Sequence, residues 1–117
     1  MEFTIKFAQL FMWSLYLVGP ILLTLTSIIV VLGQIVTRIE KWGRFDGLYW
    51  SLVTATTVGY GDIRPLKKIS KILSMIIAMS GIILTGFIVA VTVNAASIVI
   101  EEFTQTEKIE EIKEILK

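Results

Sequence analysis

The nine residues TATTVGYGD at positions 54–62 combine hydroxyl side chains, two glycines at alternate positions and one carboxylate. Gly59 and Gly61 can take the positive φ angles that larger residues avoid. A chain that alternates between left- and right-handed conformations can turn successive carbonyl oxygens to one side, whereas an ordinary strand alternates them. The spacing therefore predicts a column of carbonyl oxygens, extended by the Thr57 hydroxyl, that suits a weakly hydrated cation. We call residues 57–62 the polar strip.

The composition argues against most enzyme chemistry. The chain has no cysteine, which excludes disulfides, thiolate metal sites and cysteine nucleophiles. It also has no histidine, the commonest general base and metal ligand. We expect a protein that is not an enzyme and has no organic cofactor.

Two long uncharged segments predict a membrane protein. Of the 117 residues, 55% are hydrophobic, and the mean hydropathy is +0.79. No charged residue occurs from Phe7 to Thr37 or from Ile72 to Ile100, and each run exceeds the roughly 20 residues that span a bilayer. We expect two transmembrane helices in a lipid bilayer. Glu2 and Lys6 do not form the basic start of a cleavable signal peptide.

The segment between the two spans must place the polar strip. Asp46 can cap a helix of about ten residues over Gly47–Thr56, long enough to cross only half of a bilayer. Backbone groups at membrane depth must be paired or must line a wet cavity, because each orphan costs several kcal/mol in lipid. The sequence therefore predicts a half-helix and a polar strip that face water within the membrane.

The ends of the chain allow more than one interpretation. Glu2–Trp13 has an amphipathic pattern that Gly19 and Pro20 interrupt. These residues form either an interfacial helix on the membrane surface or the start of one long, kinked first helix. The tail Glu101–Lys117 is charged, with apolar residues near heptad spacing, and predicts a helical extension or linker.

The motif Thr57-Val58-Gly59-Tyr60-Gly61-Asp62, preceded by Trp50 and Thr54-Ala55-Thr56 and set between two spans, resembles the pore of prokaryotic two-transmembrane potassium channels. The resemblance covers Leu48 to about Ile100, and the first span by architecture. It implies an all-α membrane fold: two transmembrane helices with a re-entrant pore helix and a selectivity-filter loop, assembled as a four-fold symmetric homotetramer. The implied ranges are residues 1–19 for the N-terminal segment, 20–100 for the pore domain and 101–117 for the cytoplasmic tail. Within the pore domain, the outer helix covers about 20–40, the pore helix 46–56, the filter 57–62 and the inner helix about 66–100.

The resemblance also implies a role for each residue of the motif. Thr57, Val58, Gly59 and Tyr60 would supply the ligands of permeant K⁺ ions in successive layers. Gly61 and Asp62 would close the outer mouth, and Trp50 would pack behind Tyr60.

The chain departs from some relatives at three positions near the strip. Val53 stands where some relatives have a glutamate that pairs with the filter aspartate, so Asp62 needs another donor, either Trp50 or Tyr49. Tyr49 itself stands where many relatives have a second tryptophan. Arg64 replaces an aromatic residue of relatives that tetraethylammonium blocks, and a guanidinium offers no cation–π face.

In the second span, the resemblance implies a gating hinge at Gly81, with Gly86 following. Close helix packing is the alternative role for both glycines. One face at a spacing of four residues is expected to line the inner cavity: Thr85, Val89, Val93 and Ser97. Asn94 is expected either to bond to another helix or to face the pore.

The charges conflict with the topology that the resemblance implies. The segment Arg38–Lys71 holds seven basic and three acidic residues, and basic residues normally mark the cytoplasmic side. The resemblance instead implies a cell-membrane protein with both termini in the cytoplasm, and we follow the motif. Arg38, Lys67, Lys68 and Lys71 would then extend to lipid phosphates at the outer interface.

The resemblance implies a passive potassium-selective pore. We expect no voltage sensor within this chain, because no span carries periodic arginines. The gate is expected either at the inner helices or at the filter. A gate at the inner helices would be driven by a C-terminal regulatory domain outside this chain or by the Glu-rich tail. No nucleic-acid partner is expected. The alternatives are a subunit of a potassium uptake transporter and a non-conducting membrane scaffold hairpin.

Overall fold

The computed structural model describes all 117 residues and contains three helices and no strand. The helices are α1 (Glu2–Glu40), α2 (Arg44–Ala55) and α3 (Lys68–Leu116). Helices α1 and α3 are long and apolar enough to cross a membrane, and their most apolar stretches are only 6% and 17% buried. An apolar helix that is this exposed is not the core of a soluble protein. The expected all-α membrane fold with two transmembrane helices is confirmed.

The first helix runs without interruption from Glu2 through Pro20 to Glu40. The next residue, Lys41, stops the helix: its φ of 61° is the left-handed conformation that usually favours glycine after a helix. The amide of Trp42 donates to the Thr37 carbonyl over 3.0 Å and closes the last turn. The first residues therefore continue the helix of the first span, as one of the two interpretations had it.

The half-helix differs in its limits from the sequence-based expectation. We expected residues 46–56 with Asp46 as the cap, but α2 begins at Arg44, and Asp46 lies in its first turn. Gly43 is the N-cap in an extended conformation and makes no side-chain cap bond. The Gly43 carbonyl accepts the Gly47 amide over 3.0 Å. A backbone group therefore starts the helix earlier than the carboxylate of Asp46 would.

The inner helix also differs in its limits. Helix α3 begins at Lys68, two residues after the expected start, and continues through residues 101–116 without a break. Its N-terminus needs partners for its free amides, and a carboxylate from the end of α1 supplies them, as described below. The predicted tail is therefore part of the same helix.

The chain divides into two compact units. One consists of Gly19–Phe87 and contains the half-helix and the polar strip. Its core is built from five buried side chains contributed by all three helices: Ile29, Val36, Trp50, Ala55 and Ile77. The other unit consists of Met1–Val18 and Ile88–Lys117, that is, the start of α1 and the end of α3.

Candidate functional site

The backbone of the polar strip alternates in the manner that the glycine spacing predicts. Positive φ angles occur at every second residue: 66° at Thr57, 54° at Gly59 and 78° at Gly61. The value at Thr57 was not predicted, because a β-branched residue rarely takes this conformation. The alternation of positive φ angles thus begins at Thr57, two residues before the first glycine.

The amides at the start of the strip turn back onto α2. The Val58 and Gly59 amides donate to the same Val53 carbonyl over 3.1 and 3.2 Å. The Thr57 amide donates to the Thr54 carbonyl over 3.1 Å. Val53 thus supports the strip through its backbone, although its side chain cannot hold Asp62.

The carbonyl oxygens of residues 57–61 accept no hydrogen bond from any group of the chain, and the Thr57 hydroxyl makes none either. Buried or membrane-embedded carbonyls are normally paired. The strip therefore holds its first three donors internally and leaves a row of oxygens free for another partner.

The two large apolar side chains of the strip are exposed in the single chain. Val58 is 53% exposed and Tyr60 is 70% exposed. Neither side chain is packed within a single chain. An exposed aromatic side chain thus lies in the same strip as carbonyl oxygens that have no partner in the chain.

The acid at the end of the strip is held by α2. The Tyr49 hydroxyl donates to Asp62 Oδ2 over 3.0 Å. Of the two donors considered for Asp62, Tyr49 makes the hydrogen bond, and the Trp50 indole makes none. The bond to Asp62, followed by burial, raises the pKa of the Tyr49 phenol above its ordinary value.

Trp50 lies behind the strip and is only 5% exposed. Its ring packs edge-on against Trp42, with the ring centroids 5.2 Å apart. A cavity of about 200 Å³ behind the strip is lined by Trp50, Tyr60 and Arg64, among others. The rings of Trp50 and Tyr60 do not form an aromatic pair within one chain. The packing of Trp50 behind Tyr60 stays a prediction.

The C-terminal end of α2 rests on a glycine of α3. A Cβ added to Gly81 would overlap the backbone carbonyl of Ala55, the residue that ends α2. Gly86 has no neighbour within 4 Å of the corresponding position. Close packing therefore accounts for Gly81 but not for Gly86, and the hinge roles of both stay predictions.

A pair of close contacts joins α1 to α2, and sequence reasoning missed it. A Cβ on Gly33 would lie 2.6 Å from the Ser51 Cβ, and a Cβ on Gly47 would overlap the Thr37 side chain. Each helix thus contributes one glycine and one hydroxyl residue, four positions apart. Small residues at this spacing let helix backbones approach closely in membranes.

Glu40, at the end of α1, holds the start of α3. Its carboxylate accepts the amides of Leu66 and Lys67, the latter over 2.9 Å. In return, the Lys67 ammonium donates to the Ile39 carbonyl over 3.0 Å. A negative charge at a helix N-terminus also interacts favourably with the helix dipole. No local pattern in the chain signals this contact, because Glu40 and Leu66 are 26 residues apart.

The remaining predicted residues lie on exposed surfaces of the single chain. The face of α3 expected to line a cavity is exposed at all four positions: Thr85, Val89, Val93 and Ser97. Asn94 is also exposed and makes no hydrogen bond within the chain. No group of three or more acidic side chains lies close enough together to hold a metal ion.

Comparison with known proteins gives one family. A model of the family described as "Ion channel" matches residues 21–97, about two thirds of the chain. This range contains α2, the polar strip and the apolar part of α3. No solved structure matches the chain.

Several curated proteins are similar to parts of the chain. A voltage-gated potassium channel of Aeropyrum pernix is 50% identical over 38 residues, which are 32% of this chain and 13% of that protein. A two-pore potassium channel of Arabidopsis thaliana is 38% identical over 60 residues, 51% of this chain and 16% of that protein. A TWiK-family potassium channel of Caenorhabditis elegans is 43% identical over 35 residues, 30% of this chain and 6% of that protein. The matches therefore span only 6% to 16% of the length of these relatives.

Proposed function

Because the chain belongs to the ion-channel family, we propose that it forms the pore of a potassium-selective channel that conducts K⁺ passively across the membrane. The family membership confirms the predicted resemblance and the prediction that the protein is not an enzyme. The relatives named as potassium channels support K⁺ as the permeant ion.

One observation carries the proposal: the first three amides of the strip are paired, and its carbonyl acceptors are free. The Val58 and Gly59 amides are satisfied by Val53, whereas the carbonyls of residues 57–61 have no partner in the chain. Carbonyl oxygens can replace the water molecules around a weakly hydrated cation. In this proposal the K⁺ ligands are the oxygens of Thr57, Val58, Gly59 and Tyr60. We base the proposed preference for potassium over sodium on the sequence resemblance and on the relatives that are named as potassium channels.

One chain offers too few oxygens to replace a hydration shell, and this is the reason for proposing a ring of four copies. The exposure of Val58 and Tyr60, at 53% and 70%, leaves surface for neighbouring copies to cover. Symmetric rings of such strips form the filters of potassium channels. The proposed assembly is therefore a homotetramer around the polar strip, with the bilayer around α1 and α3.

The proposed topology places both termini in the cytoplasm and Asp62 at the outer mouth. The gate lies at the inner helices or at the filter, with Gly81 and Gly86 as candidate hinges. The cavity below the filter is lined by the exposed face of α3 described above. A cytoplasmic regulatory domain outside this chain is a further proposed partner, attached after the helical end of α3.

Flux through reconstituted protein tests the proposal. We expect liposomes with the purified protein to take up K⁺ down its gradient, to exclude Na⁺ and to be blocked by Ba²⁺. Gly59→Ala should reduce this flux, because an L-residue at a φ of 54° is strained. The matched control is Gly19→Ala, since Gly19 lies in helix α1 and a Cβ added there would have no neighbour within 4 Å.

Four outcomes would contradict the proposal. Equal K⁺ and Na⁺ flux would remove selectivity, and a monomer in a subunit count would remove the ring. A complete absence of flux would favour the scaffold hairpin, and flux that needs an added energised partner would favour the transporter subunit.

A further inference from the structure

Four side chains join the first turns of α1 to the far end of α3. The Lys6 ammonium lies 2.9 Å from Glu102 Oε1, and it also lies 5.3 Å from the centre of the Phe103 ring. The rings of Phe3 and Phe103 pack with their centroids 5.8 Å apart at 56°. We call these four residues, Phe3, Lys6, Glu102 and Phe103, the clasp. All four belong to the same compact unit.

The clasp closes a continuous helix–helix contact. Ala95 and Val99 are 0% and 1% exposed, and Phe103 continues their spacing of four residues along α3. Because this unit contains only the start of α1 and the end of α3, the buried stripe of α3 faces α1. On α1, the half-buried residues follow helical spacing: Phe7, Leu10, Phe11, Ser14 and Leu15.

The clasp lies on the face of α3 opposite the expected cavity. Val93 and Ser97 are exposed, and each is two residues from Ala95, about 200° around the helix. Glu102 follows Ser97 by five residues, roughly 7.5 Å along the helix axis. The clasp therefore acts on the part of α3 just beyond the residues expected to line the pore.

The position of the clasp makes it sensitive to bending of α3. Gly86 is the glycine of α3 that has open space around it. Sixteen residues separate Gly86 from Glu102, about 24 Å of helix. A bend of about 15° at Gly86 would move Glu102 by about 6 Å if α1 did not follow, enough to separate the ion pair.

We propose that the clasp is a latch: it holds the end of α3 against α1 and opposes the bending that opens the pore. This inference rests on the proposed channel function. The ion pair is half exposed, with side-chain exposures of 48% and 53%, so salt reaches and screens it. The latch is therefore expected to respond to ionic strength and to charge bound near Glu102.

Charge variants in reconstituted liposomes test the latch. We expect Lys6→Met and Glu102→Gln each to raise K⁺ flux by about twofold or more at low ionic strength, with a smaller effect at high salt. Lys6→Glu should raise it further, because two carboxylates would face each other. The swap Lys6→Glu with Glu102→Lys should return the flux to the wild-type level. The control Lys108→Met removes a cation from the same stretch of α3 outside the clasp and should change little.

A second measurement does not depend on conduction. We expect the melting midpoints of Lys6→Met, Glu102→Gln and their double variant to be non-additive, which shows that the pair interacts. Coupled midpoints with unchanged or reduced flux would make the clasp a folding contact and overturn the latch. Failure of the swap to restore flux would overturn it as well. Wild-type protein that conducts nothing would refute the proposed function, and the latch with it, while the coupling of the midpoints would remain.

Discussion

Replacing each of the two glycines of α3 by alanine is expected to change the stability of the protein in opposite directions. In an exposed helix, Gly→Ala stabilises by about 1 kcal/mol, and this gain is available at Gly86, where a methyl group meets open space. At Gly81 the same methyl group would overlap the carbonyl group and Cα of Ala55. These are backbone atoms, so no side-chain rotation relieves the overlap.

The sizes of these effects follow from the contacts. Overpacking typically costs about 1–3 kcal/mol, and the rigid backbone of Ala55 places Gly81→Ala toward the upper end. Subtracting the helix gain of about 1 kcal/mol leaves a net loss of roughly 1–2 kcal/mol. Compared with Gly86→Ala, the difference is roughly 2–3 kcal/mol, or about 30-fold or more in the unfolding equilibrium. We expect Gly81→Ala to melt below the wild type and Gly86→Ala to melt at or above it.

Thermal unfolding in detergent, followed by tryptophan fluorescence, measures this difference. Trp50 is buried and packs edge-on against Trp42 in the same unit as Gly81, so its emission reports the loss of this core. The reasoning would be refuted if Gly81→Ala were as stable as Gly86→Ala. A stable Gly81→Ala protein that no longer conducts would indicate a hinge in place of the close contact.

Four further predictions concern Tyr49, Glu40 and Arg64. Tyr49→Phe removes the donor to Asp62 and should change the rate of current decay at constant voltage, and an unchanged decay would exclude this role. Because the pKa of Tyr49 is raised in the fold, its stabilising bond should persist below about pH 10 and be lost as the pH rises through the raised pKa, which current decay at alkaline pH would measure. Glu40→Ala leaves the Leu66 and Lys67 amides without their acceptor and should lower the melting midpoint more than Glu111→Ala, an exposed control on α3. Arg64 should make external tetraethylammonium a weak blocker, and Arg64→Tyr should strengthen the block; strong block of the wild type that Arg64→Tyr does not increase would contradict this.

The local features of the fold were predictable because local patterns encode them. Charge-free runs set the two spans, and the glycine spacing set the alternation at Gly59 and Gly61. Tyr49 was one of two candidates for holding Asp62, and the structure selects it. These features depend on hydropathy, on the absence of a Cβ and on a motif, all of which are visible in the chain itself.

The features that were missed depend on contacts between distant residues. Nothing near Glu40 indicates that its carboxylate meets amides 26 and 27 residues later. The pairing of Gly33 with Ser51 likewise requires the crossing of α1 and α2 to be known. Thr57 is a different case, because its left-handed conformation runs against its own preference and is imposed by the bonds of the strip to α2.

The openness of the strip in a single chain has a genetic consequence. A lone copy exposes Tyr60 and leaves its oxygens without partners, so each layer of the proposed ring needs every copy to be sound. A defective copy would damage the rings it joins, even beside normal copies. Such a change would act dominantly in a cell that makes both forms, whereas a copy too unstable to assemble would be silent.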